Sequence, residues 1–106
     1  MGTAEVLWKA RALVQGGWSP TVSRDSAGGM CGPDDEGIEK FCLLDACLTA
    51  GKGDLVATHA AMRAVGKPLH LLTGMQLGDW EAEATRDDVL DQLARAAKRA
   101  EAQEAA

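Results

Sequence analysis

The chain has no tyrosine, one phenylalanine and only 4% aromatic residues in 106 positions, and β-branched residues are scarce too. Strands favour those residue types, so the composition suits a sheet less well than it suits helices. No apolar run reaches the roughly 18 residues that a membrane-spanning helix needs. The start of the chain shows no basic n-region followed by an apolar stretch and a cleavage site. A soluble, cytoplasmic protein without a membrane partner is the expectation. Clusters of Lys and Arg are also missing, and the formal net charge is −5. That balance argues against direct nucleic-acid binding, which works by neutralising phosphates.

Cysteine is sparse, and its three copies have no C-x-x-C spacing. An odd number cannot all pair within one chain, so Cys31, Cys42 and Cys47 are expected as free thiols. A zinc site would need converging thiolates and imidazoles. Cys42 and Cys47 are five residues apart, about 140° round a helix, and would not meet on one ion. No metal and no cofactor is expected.

What the chain does have is small apolar residues. Its hydrophobic fraction is 46%, much of it alanine, with Leu, Val, Met and three Trp to fill the core. Closely packed helices suit that composition. At this length the whole chain, residues 1–106, is expected to be a single domain. The pattern predicts an all-α fold, a small bundle of about four helices with a long loop after the first.

Thr3 can cap a first helix over residues 4–15, where Val6, Leu7, Ala10, Leu13 and Val14 recur on one face. Gly16 and Gly17 stop it. Trp8 falls on the opposite face among Glu5, Arg11 and Gln15. Residues 19–37 have the Gly, Ser, Asp and Pro content of a loop. A central helix is expected from residue 34 or 37 to residue 50, apolar on all sides and therefore covered on several. Asp54 can cap a third helix through residue 65, with Leu55, Val56, His59 and Met62 on one face. Residues 69–77 fit a short helix or an extended segment. Thr85 and Asp88 form a capping-box pattern ahead of a last helix whose buried face is Val89, Leu90, Leu93, Ala96, Ala97 and Ala100. Residues 101–106 are expected to fray.

Asp45 is the conspicuous polar residue, a carboxylate inside an apolar helix. Burying it unpaired would cost several kcal/mol, so it needs a cation or hydrogen-bond donors, or else stays protonated. Arg63 and the indoles of Trp18 or Trp80 are candidate partners. With Cys42 and His59 these residues make a candidate buried polar site, Asp45, Cys42, His59 and Arg63, for a small molecule or a metal. A cysteine nucleophile would need His59 or His70 within hydrogen-bond reach, and no local signature supplies that pairing. No catalytic residue is assigned. The cluster Asp34, Asp35 and Glu36 lacks the alternating ligands of a calcium loop. It suits an acidic surface instead, as does the segment Asp79, Trp80, Glu81 and Glu83. Together with Trp8 these are the candidate partner-binding residues, because tryptophan is enriched among interface hot spots.

Three segments in order, Gly17 with Trp18, then Phe41-Cys42-Leu43-Leu44-Asp45-Ala46, then Trp80 followed by Thr85-Arg86-Asp87-Asp88-Val89-Leu90, resemble a family of small uncharacterised helical proteins of actinobacteria and their phages, known as a domain of unknown function. The resemblance spans most of the chain. It implies a compact helical domain encoded by a phage or other mobile element. The resulting expectation is a non-enzymatic module that binds another protein, one with a basic surface, through acidic residues and tryptophan. One concrete form is a modulator of a host defence complex that mimics nucleic-acid charge. The alternatives are the small-molecule or metal site at Asp45 and a homodimer through the Trp8 face.

Overall fold

The computed structural model describes residues 2–32, 35–71 and 73–105. Among them run α1 (Thr3–Gly16), β1 (Ser23–Arg24), β2 (Met30–Cys31), α2 (Leu43–Ala50), α3 (Leu55–Gly66), a 3-10 turn (Lys67–Leu69), α4 (Gly74–Glu83) and α5 (Arg86–Ala105). The fold is predominantly helical, with five α-helices and a two-stranded antiparallel sheet where an all-α bundle of about four was expected.

The core forms where α1 lies against α5 and α2, with α3 packed on all three. Val6, Leu7, Ala10 and Val14 of α1 meet Leu43, Ala46 and Cys47 of α2, Ala61 and Val65 of α3, and Val89, Leu93, Ala96 and Ala97 of α5. Alanine at so many contact positions lets the helix axes approach closely. α1 starts one residue earlier than its pattern predicts. Thr3 is its first residue rather than its cap, and the N-cap, Gly2, makes no side-chain bond. Glu104 of α5 accepts the free Ala4 N–H instead (3.3 Å), and Glu101 accepts the indole N–H of Trp8. Those contacts explain why residues 101–105 stay helical and do not fray. The α5 capping box forms as expected, Asp88 N–H donating to Thr85 Oγ1 (3.1 Å) and Thr85 N–H to Asp88 Oδ2 (3.0 Å).

The expected loop over residues 19–37 contains the β1–β2 hairpin, in register Ser23 with Cys31 and Arg24 with Met30. Asp25 organises the turn, its Oδ1 accepting the N–H groups of Ala27 (2.9 Å) and Gly29 (2.8 Å). Gly28 supplies the left-handed residue there, with φ 83°. Residues 38–42 are not helical and run alongside other backbone instead. Arg24 exchanges hydrogen bonds with Lys40 (2.8 and 3.0 Å), and Phe41 N–H donates to Gly17 O (3.0 Å). Pairing of these backbone groups delays α2 to Leu43, several residues past the start its composition predicts. Gly17 is required for this contact: a Cβ there would lie 2.1 Å from the Glu39 carbonyl oxygen.

α3 begins at its expected cap, with Asp54 Oδ1 accepting the N–H groups of Val56 (2.9 Å) and Ala57 (3.2 Å). Its buried face, however, is the small one, Thr58, Ala61, Val65 and Gly66. Leu55, Val56 and His59 are exposed, contrary to the face predicted for them, because α3 meets its three helical neighbours through small side chains. The segment left open by the sequence, 69–77, ends in α4, which takes its residues 74–77 and runs on to Glu83. A reciprocal capping box of Thr73 and Gln76 starts it.

Candidate functional site

Two polar structures meet at the N-terminus of α2. Inside, Asp45 projects from the first turn of α2 and is only 6% exposed. Its Oδ2 accepts the hydroxyl of Ser23 (2.6 Å). Ser23, itself fully buried, accepts in turn from Cys42 N–H (3.0 Å) and lies 3.5 Å from Cys42 Sγ. The hairpin is thereby latched to α2 by one hydroxyl. Arg63, Trp18 and Trp80, the partners expected for Asp45, do not bond to it; the donor is Ser23, a serine of the expected loop. Burial pushes the Cys42 thiol up, partly offset by the Ser23 hydroxyl and the Asp45 amide. Burial also pushes Cys47 up to about 12.

Outside that latch, Glu81 of α4 is 5% exposed. Its Oε2 accepts Thr21 N–H (2.8 Å) and Leu43 N–H (3.2 Å), so one carboxylate ties the segment before β1 to the first turn of α2. A carboxylate is well placed there, because the first amides of a helix lack intrahelical partners. Burial raises the pKa of Glu81, opposed by the two backbone donors, with nearby Asp45 raising it further. Glu81 therefore belongs to the interior and not to the acidic surface assigned to it from sequence. Thr21, held by Glu81, has φ 66°. A β-branched residue in that region is strained by about 1–3 kcal/mol, and strain of this kind collects at functional sites.

Thr21 and Glu81 also line a cleft of about 790 Å³ between α2, α3 and α4. Leu44, Met62, Leu71 and Leu77 give it apolar walls, and His59, Arg63 and Lys67 line its α3 side. These three recur every four residues, so α3 and the turn after it carry them on one face. Among the described residues the ion pairs are Lys9 with Glu5 and Arg95 with Asp91, and neither involves Arg63 or Lys67. Gly78 lines the cleft from the middle of α4, and a Cβ added there would meet nothing within 4 Å. Neither packing nor a positive φ demands glycine at this position.

The candidate polar site is thus split. His59 and Arg63 line the cleft, whereas Cys42 and Asp45 are buried with Ser23 and are not part of its lining. His70 is exposed at the end of the 3-10 turn. The candidate interface residues are dispersed over three elements. Trp8 sits on α1, 36% exposed. Asp35 and Glu36 are exposed after β2, with Asp35 Oδ2 accepting Gly32 N–H (2.8 Å), while Asp34 lies outside the described residues. Asp79 and Glu83 are exposed on α4, and Trp80 is half-buried against the core. The sequence reading missed Ser23, Thr21, Lys67 and Gly78. Lys67 was within reach, since it continues the spacing of His59 and Arg63.

Among the described residues no helix is long and apolar enough to cross a membrane, and no group of three or more His, Cys, Asp or Glu could hold a metal ion. Comparison with curated proteins and with solved structures returns no match. A family model described as a family of unknown function, DUF6197, matches residues 1–99. The uncharacterised family expected from the three segments is therefore the right kind of relative, and the chain belongs to the DUF6197 family.

Proposed function

We propose that the protein is a non-enzymatic binding module whose site is the cleft between α2, α3 and α4. The observation that carries this reading is Gly78. Glycine in a helix interior costs about 1 kcal/mol against alanine, and at Gly78 there is room for a side chain. Its effect is to keep the cleft open. The volume, about 790 Å³, falls in the range of small-molecule sites, which are apolar with a few polar groups. Catalysis finds less support. Ser23 and Cys42 are buried, and the Ser23 hydroxyl is committed to Asp45, with no histidine in hydrogen bond to either among the described residues. The small-ligand reading thus gains over the acidic protein-binding one, with its site moved from Asp45 and Cys42 to the cleft.

The test is a native mass spectrum of the protein after exposure to a metabolite extract of its source organism, beside the Gly78→Phe variant. An adduct on the parent that the folded variant lacks supports the reading. No adduct on either, or the same adduct on both, overturns it.

A second reading rests on Trp8. Its partly exposed indole on α1 lies beside Glu101 of α5, and α1 also carries exposed Glu5, paired with Lys9, which gives an aromatic patch bordered by carboxylates for a protein with a basic surface. Salt-sensitive capture of such a protein, abolished by Trp8→Ala and unchanged by Gly78→Phe, would favour this face over the cleft.

A further inference from the structure

We infer that the cleft takes a small amphipathic anion, a molecule with an aliphatic or aromatic body and a single carboxylate or phosphate head. The inference rests on the cleft being the binding site and adds the chemistry of its occupant. Three features of the lining carry it. The walls that could meet a ligand body, Leu44, Met62 and Leu77, are apolar. On the α3 side stand Arg63 and Lys67, both exposed and neither in an ion pair among the described residues. Glu81, the acidic residue in the lining, already receives two backbone N–H groups on Oε2 and is buried at the opposite, α4 side. Among the described residues the charges of the lining are two cations against one satisfied carboxylate, with His59 the remaining titratable group.

That local sign opposes the net charge of −5, so an anion drawn to the cleft is recognised by the site and not by the general field of the protein. The Arg63 guanidinium can hold a carboxylate or phosphate through two parallel N–H bonds, whereas Lys67 offers a point charge. A cationic ligand would meet both uncompensated. An anion without an apolar body would leave the walls wet and gain only a surface ion pair, which is worth little.

The experiment is calorimetric titration with probes of equal chain length: decanoate, decyl phosphate, decanol and decyltrimethylammonium, each below its micelle concentration, with acetate as the chainless control. Decanoate or decyl phosphate should bind, the better of the two identifying the head group, with decanol weaker and decyltrimethylammonium and acetate weakest. Arg63→Gln with Lys67→Gln should lower the affinity for the anions about tenfold or more and leave decanol within twofold. Lys9→Gln, outside the cleft, should change neither. Decyltrimethylammonium or decanol binding as tightly as decanoate, in a manner lost in Gly78→Phe, would overturn the anion and leave the cleft standing as a binding site. Failure of all the probes also overturns this inference, while the metabolite-extract experiment with Gly78→Phe judges the cleft independently.

Discussion

Replacing Gly78 with alanine should stabilise the protein. Gly78 sits inside α4, with helical residues on both sides, and a Cβ added to it meets no atom within 4 Å. The substitution therefore neither gains nor strains a contact, and the backbone entropy of glycine is what remains. That amounts to about 0.8–1 kcal/mol in a helix interior. For a chain of this size the gain should raise the melting temperature by roughly 4 °C or a little more. Urea unfolding followed by circular dichroism should show the midpoint moving up at constant slope, since the exposed surface is unchanged. Gly17 is the matched control. Its Cβ would collide with the Glu39 carbonyl at 2.1 Å, a backbone atom that cannot swing aside, so Gly17→Ala should lose stability and the pairing of Gly17 with Phe41. A destabilised Gly78→Ala, or two variants that behave alike, would refute the idea that Gly78 serves the cleft and not the fold. Stability forgone at a site is the usual companion of function there.

Ser23→Ala should cost at least about 2 kcal/mol by urea unfolding, because it strands the buried Asp45 carboxylate and the Cys42 N–H together. An unchanged midpoint would show that the latch is not a stabilising element. Thr21→Gly should relieve the left-handed strain at φ 66° and stabilise by about 1 kcal/mol, provided Glu81 still accepts its N–H; a loss would show that the threonine side chain matters more than its backbone. Glu81 has a pKa raised by burial, so the folded state favours its protonated form: its contribution is fully present below the carboxyl's ordinary pKa of 4.5 and is lost as pH rises through the raised value. Glu81→Gln should accordingly compare more favourably with the parent at pH 7 than at pH 4, and the reverse trend in unfolding midpoints would remove that account. Native-state alkylation should put one adduct on the protein, at half-exposed Cys31, and three only after denaturation, since Cys42 and Cys47 are buried; two fast adducts would mean that the latch opens.

Much of the fold was legible because local signals and packing agree. Asp54 and the Thr85–Asp88 box cap helices where their patterns place them, and the α5 apolar stripe is the buried one. Legibility failed where long-range pairing decides. Strands of two residues carry no periodicity; they exist through the pairing of Ser23 with Cys31 and Arg24 with Met30, and Arg24 meets Lys40 further along the sequence in a separate bridge. The turn at Asp25 to Gly29, an aspartate followed by a glycine pair, was the available hint. Likewise Thr73 with Gln76 is a capping-box pattern that marks the start of α4. α3 misled in a different manner. Leu55 and Val56 mark its outward side while the core takes Thr58, Ala61 and Val65, so the apolar residues of its first turn pointed away from the core. Asp45 was rightly read as needing a donor, but the donor, Ser23, stood in a segment whose composition concealed its role.

Those same two carboxylates determine how rigid the cleft is. Glu81 fixes α4 to the first turn of α2 and to the strained Thr21, and Asp45 fixes the hairpin, through Ser23, to that same turn of α2. The Leu44, Glu81 and Thr21 sides of the cleft are thus held by hydrogen bonds already made in the free protein. A ligand entering such a site pays little to order it, which favours affinity from a small contact area. The α3 side is held differently, by small residues packed on α1, α2 and α5, and its side chains His59, Arg63 and Lys67 are exposed, with Arg63 and Lys67 in no ion pair among the described residues. Apolar walls held in place opposite the exposed cations Arg63 and Lys67 suit a ligand with an apolar body and an anionic head group. The stabilising polar latch and the open cleft are therefore one construction, and loosening the first through Ser23→Ala should weaken decanoate binding even in molecules that remain folded.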